Sequence, residues 1–502
     1  MTLGTAVREV TQVSRPSPAP SSRAEISTFA AGALAAFYLA TSIYIAAHRL
    51  YWFDELFIVR FAQMPNLATM WDALAHASDT MPPGYHLVMR GVTRALGYSE
   101  VATRLPSALA MIAGLLIVFQ CARRLTDARH GLLALALLSC SLLPYYGYEA
   151  RPYALFFLLS ALALWIWTTT RRDSLRAAIA FGVTLGVAVT MHYYAVLNVV
   201  PYALFELLRW HRGRRPSPKL IAGIIGVVVP AVGLGPLGMA YSHQFSRGFW
   251  AHPSFYELKQ VFPEMFPDGF FLLALLVVWV CLALPARGAE SSETLQDAEL
   301  LGWLFLCIPL AGFAVAELKT NAFLARYFIG ALPGIALAFA CWMWRHFQSA
   351  RLISAGAVAL LALWGTANQM MVVRHPESVD PFGQQTATRE YLKLESAIDS
   401  DGKRYILFHD SLLHLEAKHY SRHPGEVYLL LGPSGPETPT ARVQVNLSRY
   451  SPLQFWKLDD LKQHAQETAV IDPDPELVEA MKRAGFAPTV RFPKPVQVMY
   501  FR

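Results

Sequence analysis

The sequence predicts a polytopic α-helical membrane protein with a soluble α/β or α+β unit at its C-terminal end. Three observations predict it. Of 502 residues, 54% are hydrophobic and only 16% charged, too apolar for an ordinary soluble enzyme. The apolar residues gather in blocks near the ~20 residues that a helix needs to cross a hydrocarbon core. After Val373 the blocks stop, and short β-rich and amphipathic stretches replace them.

The blocks lie at about 29–47, 105–121, 131–147, 152–168, 177–191, 195–208, 221–240, 269–285, 300–317, 327–344 and 352–373, which makes eleven candidate spans. Residues 1–28, polar and rich in Pro and Ser, read as a flexible cytoplasmic tail without the short apolar core of a removable signal. Basic residues mark every second connection: Arg123, Arg124 and Arg129; Arg171, Arg172 and Arg176; Arg209, Arg212, Arg214, Arg215 and Lys219; Arg345 and Arg351. With the N-terminus inside, all of these are cytoplasmic, as the positive-inside bias requires. The region 177–208 reads as two short spans broken at "MHYYA", since a single helix there would carry the basic "RWHRGRRPSPK" loop outside.

The segment "PPGYHLVMRGVTRALG", Pro82 to Gly97, does not count as a span. It would be only about 24 Å long as a helix and carries Arg90 and Arg94, so an interfacial helix fits it better. The first external connection, 49–104, is then far longer than an ordinary loop, and such loops tend to be functional. In the tail, 374–502, "RYILFHD" and "EVYLLLG" read as strands, and "DDLKQHAQ" and "PELVEAMKRAG" as amphipathic helices. The span count places this soluble domain outside a plasma or inner membrane, after a membrane domain of residues 29–373.

Charge and cysteine usage exclude several classes. The net charge of +7 comes from the membrane part, because residues 1–373 hold 27 Lys+Arg against 19 Asp+Glu and residues 374–502 hold 16 against 17. Cytoplasmic loops account for the excess, and no basic stripe suited to nucleic acid is present. Cys121, Cys140, Cys281, Cys307 and Cys341 all lie inside apolar blocks, which argues against disulfides and CxxC metal sites. Neither a metal nor a cofactor is expected.

Ionisable residues near a membrane face are costly to dehydrate unless paired or hydrated, so their accumulation on one side is a functional hint. Here they accumulate outside: Asp54, Glu55, His86, Arg104, Glu149, Arg151, His192, Lys319 and Arg326, with Tyr193 and Tyr327 beside two of them. A lipid-linked anionic substrate suits such a membrane-proximal set.

Five pieces in order resemble the GT-C membrane glycosyltransferases, in particular the protein O-mannosyltransferase and aminoarabinose transferase group in its bacterial branch. They are "YWFDELF" after the first span, "MPPGYH" before a short helix, "RLPSALA" opening the next span, "YGYEARPYALFFLLSALALW" with "MHYYA", and "ARYFIGALPGIALA" late in the membrane domain. The resemblance covers about residues 29–373 and implies a GT-C fold and a sugar donor on a polyprenyl monophosphate. It also implies that Asp54 is the base deprotonating an acceptor hydroxyl, with Glu55 beside it. Arg104 of "RLPS" and Arg326 of "RYF" match the group's arginines and are expected at the donor phosphate, with Arg151 as a third partner. His86, Glu149, His192, Tyr193, Tyr327 and Lys319 are expected at the substrates. One departure stands out: Met81 precedes the Pro-Pro segment where relatives carry His or Lys, which leaves that donor contact either missing or supplied by His86.

The chemistry makes sense without the family. A phosphate monoester departs without a general acid, so the site needs a base, a cation for the departing charge and alignment. Attack opposite the phosphate inverts the anomeric centre. Lipid, glycan and protein hydroxyls all remain open as acceptors, and membrane lipids surround the chain. A transporter or lipid-linked-sugar flippase is the rival class; it predicts charges near mid-membrane and repeated halves, whereas here the charges cluster at one face and no repeat is found.

Overall fold

The computed structural model describes residues 22–245, 251–267, 292–347, 351–380, 383–432, 435–493 and 496–501. The predicted span at 269–285 lies outside the described residues, as does most of the N-terminal tail. Each of the other ten predicted spans contains helix.

The chain begins with α1 (Ser22–His48) and then forms three helices that do not span: α2 (Phe53–Gln63), α3 (Leu67–Ala75) and α4 (Pro83–Leu96). The helix expected within 82–97 is α4. Pro83 at its first position starts it at no loss, because that residue's N–H would have no helical partner. Next come α5 (Glu100–Leu125), α6 (Ala128–Ser139), α7 (Leu143–Gly147), α8 (Tyr153–Thr169) and α9 (Leu175–Met191). Ser99, Asp127 and Ser174 cap α5, α6 and α9 through side-chain oxygens that accept from first-turn amides. The break predicted at "MHYYA" is real: His192 is extended, residues 193–199 form a 3-10 turn, and α10 (Val200–His211) follows.

The remaining helices up to residue 374 are α11 (Pro218–Phe245), the short α12 (Phe255–Met265), α13 (Glu293–Leu304), α14 (Cys307–Val315), α15 (Leu332–Phe347) and α16 (Arg351–Arg374). Among the described residues, six segments are long and apolar enough to cross a membrane alone, and α6, α8 and α9 are shorter apolar helices. Small residues let the spans approach closely. A Cβ on Gly226 of α11 would run into the Gly182 carbonyl of α9, and one on Gly114 of α5 would lie 2.5 Å from the Phe157 ring of α8.

After α16 come α17 (Gln384–Ser400), β1 (Tyr405–Phe408), α18 (Ser411–Tyr420), β2 (Val427–Leu430), α19 (Pro439–Leu447), β3 (Gln454–Trp456), β4 (Thr468–Ile471), β5 (Pro488–Phe492) and β6 (Val498–Phe501). They form one six-stranded sheet in the order β3-β2-β1-β4-β6-β5. The first four strands are parallel, and β6 runs antiparallel to β4 and β5. Parallel neighbours need crossovers, which α18 and α19 supply, so of the two sequence alternatives the tail takes the α/β form. Leu407, Phe408, Val427, Ala469 and Val470 are fully buried, as strands covered on both faces should be.

The sheet unit is packed onto α2 and α11. One apolar cluster joins Tyr51, Trp52, Phe53, Leu56 and Phe57 around the start of α2 to Leu234 and Leu237 of α11 and to Leu415, Val443, Leu447 and Leu453 of the tail.

Candidate active site

Asp54 and Glu55 occupy the first turn of α2 but face different surroundings, because adjacent helix residues point about 100° apart. Glu55 is fully buried. Its Oε1 accepts from Arg104 Nε at 2.7 Å and from the Ala150 amide at 2.7 Å; its Oε2 accepts from Arg104 Nη2 at 2.6 Å and from the Trp52 amide at 3.1 Å. Burial works against the Glu55 charge, yet the fork of Arg104 holds its carboxyl below the usual range.

Arg104 is equally enclosed and spends its other donors on carbonyls where α1 ends: Ala46 at 2.9 Å, Arg49 at 2.7 Å and Leu50 at 2.8 Å. The expected phosphate role of Arg104 is therefore corrected. All five of its N–H groups are engaged, and together with Glu55 it ties α1, α2, α5 and the turn before α8 into one knot. Glu55 likewise has no face toward a substrate.

Asp54 is different. Its side chain is 23% exposed, and Oδ2 lies 3.2 Å from Arg151 Nη2. Nη1 of Arg151 also donates to the Asp54 carbonyl at 3.2 Å, while its Nε has no partner. From Arg151 a row of rings leads across the site. The guanidinium lies 5.9 Å from the Tyr153 ring centre; Tyr153 is 5.5 Å from His192, and His192 is 5.1 Å from Tyr327. Arg326 closes the row, 6.0 Å from the Tyr327 ring. Among the described residues Arg326 has no ion pair, and its buried Nε has no hydrogen-bond partner. Tyr193 borders the same region from the side of α11, packed on the cluster that holds α2.

His192 contributes as a neutral ring. Its Nδ1 accepts from the Tyr194 amide at 3.2 Å, and burial with the charges of Arg151 and Arg326 pushes it down to about 3.

Three expected substrate residues stand elsewhere. His86 is fully buried, stacked on Phe61 at 4.5 Å, with Nε2 3.0 Å from Asp79 Oδ2, so it does not replace the His or Lys missing before the Pro-Pro segment. Glu149 is also fully buried and pairs with Arg49 at 3.4 Å. Burial pushes its carboxyl above the usual range, with Arg49 pulling against this and Glu55 adding to it. Lys319 is exposed at the end of the 316–320 turn and makes no contact with this row among the described residues.

Two residues escaped the sequence reading. Asp79 is buried, and the fields of His86 and Arg151 hold its carboxyl low against the cost of burial. Arg49 supports Glu149 and lies over the Tyr145 ring at 5.3 Å. The position of Asp79, two residues before Met81-Pro82-Pro83, was the one available signal for it.

This fold defines a class. Residues 80–234 match the family model described as dolichyl-phosphate-mannose-protein mannosyltransferase, a stretch that contains Arg104, Glu149, Arg151 and His192. The chain has the GT-C fold of the polytopic membrane glycosyltransferases. The structure of ArnT from Cupriavidus metallidurans bound to undecaprenyl phosphate is similar, with a TM-score of 0.58 at 12% identity over 94% of this chain and 98% of that one. The apo structure of the same protein gives a TM-score of 0.58 at 11% identity over 95% and 98%. No curated protein matches the chain by sequence.

Proposed function

We propose that the chain is an inverting glycosyltransferase that moves a sugar from a polyprenyl-phosphate donor to a hydroxyl acceptor on the extracytoplasmic side of the membrane. The observation that carries this reading is the row running from the partly exposed Asp54 through Arg151, Tyr153, His192 and Tyr327 to Arg326, which has no ion pair among the described residues. It supplies a proton acceptor at one end, cations for a leaving phosphate, and aromatic faces between them that suit a sugar or a prenyl chain. The likeness to ArnT, solved with undecaprenyl phosphate, supports the donor class.

In the reaction the acceptor oxygen bonds to the anomeric carbon as the bond to the phosphate oxygen breaks. The electron pair leaves on the phosphate, and the acceptor proton passes to Asp54. A carboxylate is a weak base in the ground state. It need only take the proton once the acceptor oxygen is already bonding to carbon, where that proton is far more acidic. Arg326 and the free Nε edge of Arg151 neutralise the phosphate, and guanidinium can hold two phosphate oxygens at once. Glu55, Arg104, Arg49 and Glu149 hold the frame.

The test supplies purified protein with radiolabelled polyprenyl-phosphate sugars and lipid, glycan and peptide acceptors, comparing wild type with Asp54→Asn. Transfer by wild type and its loss in the variant, with donor binding retained, is the expected result. Equal transfer by both would overturn the role of Asp54, and no transfer from any polyprenyl-phosphate sugar would overturn the donor class.

A further inference from the structure

We infer that the C-terminal sheet unit is a working part of the site, with Glu416 and Tyr420 as positioning residues that fix the main chain leading into Asp54; this rests on Asp54 being the base. The two residues are four apart on α18, so they share one face of that helix. That face meets the stretch Tyr51-Trp52-Phe53. Tyr420 Oη accepts from the Tyr51 amide at 2.7 Å and donates to Glu100 Oε1 at 3.0 Å. Glu416 Oε1 accepts from the Phe53 amide at 3.0 Å, and its Oε2 accepts from the Thr388 hydroxyl at 3.2 Å. Between them, the Trp52 amide is held by Glu55. Three successive N–H groups are thus each bound by a side chain, two of them from the tail, and the next residue is Asp54.

The energetics favour a placement role over simple docking. The first amides of a helix have no intrahelical partner, so an acceptor there fixes where the helix starts and how its first turn is rotated. Side-chain direction at the second residue follows from that rotation. Glu416 is fully buried, and a buried carboxyl is costly unless its hydrogen bonds are made; apolar residues would attach one unit to another more cheaply. Leu415, packed in the cluster with Trp52, Phe53, Leu56 and Phe57, supplies such apolar attachment already. Burial, with the Asp380 charge, also pushes the Glu416 carboxyl well above the usual range, and glutamine keeps the side-chain oxygen that accepts from the Phe53 amide.

The experiment uses the full-length protein with Glu416→Ala, Tyr420→Phe and Glu416→Gln. It measures amide hydrogen exchange at residues 51–53 together with kcat and donor KM. Glu416→Ala and Tyr420→Phe should speed exchange at 51–53 and lower kcat by about tenfold or more, with donor KM within about threefold of wild type, since small misplacements of a reacting group cost rates of up to ~100-fold. Glu416→Gln should retain both protection and rate. Unchanged exchange at 51–53, a normal kcat despite faster exchange, or a Glu416→Gln as damaged as Glu416→Ala would each overturn the inference. If Glu416→Ala fails to fold, Tyr420→Phe, which removes one hydroxyl, decides by the same criteria. A wild type without transferase activity would instead sink the functional reading, and the exchange measurement would still report on the clamp.

Discussion

Asp54→Asn keeps the outline of the side chain and removes its ability to accept a proton. Single-turnover transfer should therefore fall by roughly 10²–10⁴-fold with donor binding intact, and a near-normal rate in that assay would exclude Asp54 as the base. Glu55→Gln should act through stability instead. It leaves the guanidinium of Arg104 buried beside a neutral amide, and breaking a buried pair costs about 3–5 kcal/mol, so the thermal midpoint should drop. The arginines divide the same way. Arg326→Ala should weaken donor affinity about tenfold at unchanged protein abundance, consistent with losing a charged hydrogen bond of about 1.5–3 kcal/mol, whereas Arg104→Ala should lower the yield of folded protein. Donor titration by single-turnover kinetics, beside detergent-solubilised yield, separates the two. The sequence shows why this division was hard to foresee. "RLPS" and "RYF" both place an arginine at the end of a span, and only helix packing reveals that Arg104 meets three carbonyls and Glu55 while Arg326 meets none among the described residues. Asp79 was missed because its partner His86 and the nearby Arg151 are brought to it by folding.

At the scale of elements, the spans were legible because a bilayer demands long apolar runs, and the break at His192 because the positive-inside bias would not allow an unbroken helix. That α4 is a short helix apart from the long apolar spans was readable from its length and its two arginines. Strand order in the tail was not, since parallel pairing is decided by crossovers rather than by local pattern. Nor was the contact of α18 with α2, whose Glu416 and Phe53 are 363 residues apart. Close packing of α9 on α11 offers a test of the element level. Gly226→Ala would drive a methyl into the Gly182 carbonyl, whereas Gly233 of the same helix has open space at its Cβ position. Forcing such an overpacked contact costs about 1–3 kcal/mol, so Gly226→Ala should lower the thermal midpoint in detergent. Gly233→Ala should leave it unchanged or slightly raised, because alanine favours helix. Equal midpoints for the two variants would show that α9 and α11 do not pack this way.

At the scale of the whole molecule, the site and the sheet unit must share one side of the membrane, since Tyr420 reaches Glu100 at the start of α5, and Arg389 donates to the His48 carbonyl at the end of α1 at 2.7 Å. α5 then carries the chain to Arg123 and Arg124 at its far end, and the basic loops at 171–176 and 209–219 recur on that far side as the helices alternate. On the proposed reading the positive-inside bias makes the basic side cytoplasmic, which would place Asp54, Arg326 and the tail where a lipid-linked donor can meet an acceptor from outside. Single cysteines introduced at the exposed positions Arg212 and Lys462, in a cysteine-free background, test this in intact cells with a membrane-impermeant maleimide. The expected result is labelling at 462 and none at 212 until the membrane is permeabilised. Labelling at 212 alone would invert the topology and move the proposed reaction to the cytoplasmic face. Labelling at both before permeabilisation would contradict the alternation of the spans, because Lys462 belongs to a unit bonded to the outer end of α1 while Arg212 lies at the opposite end of α10.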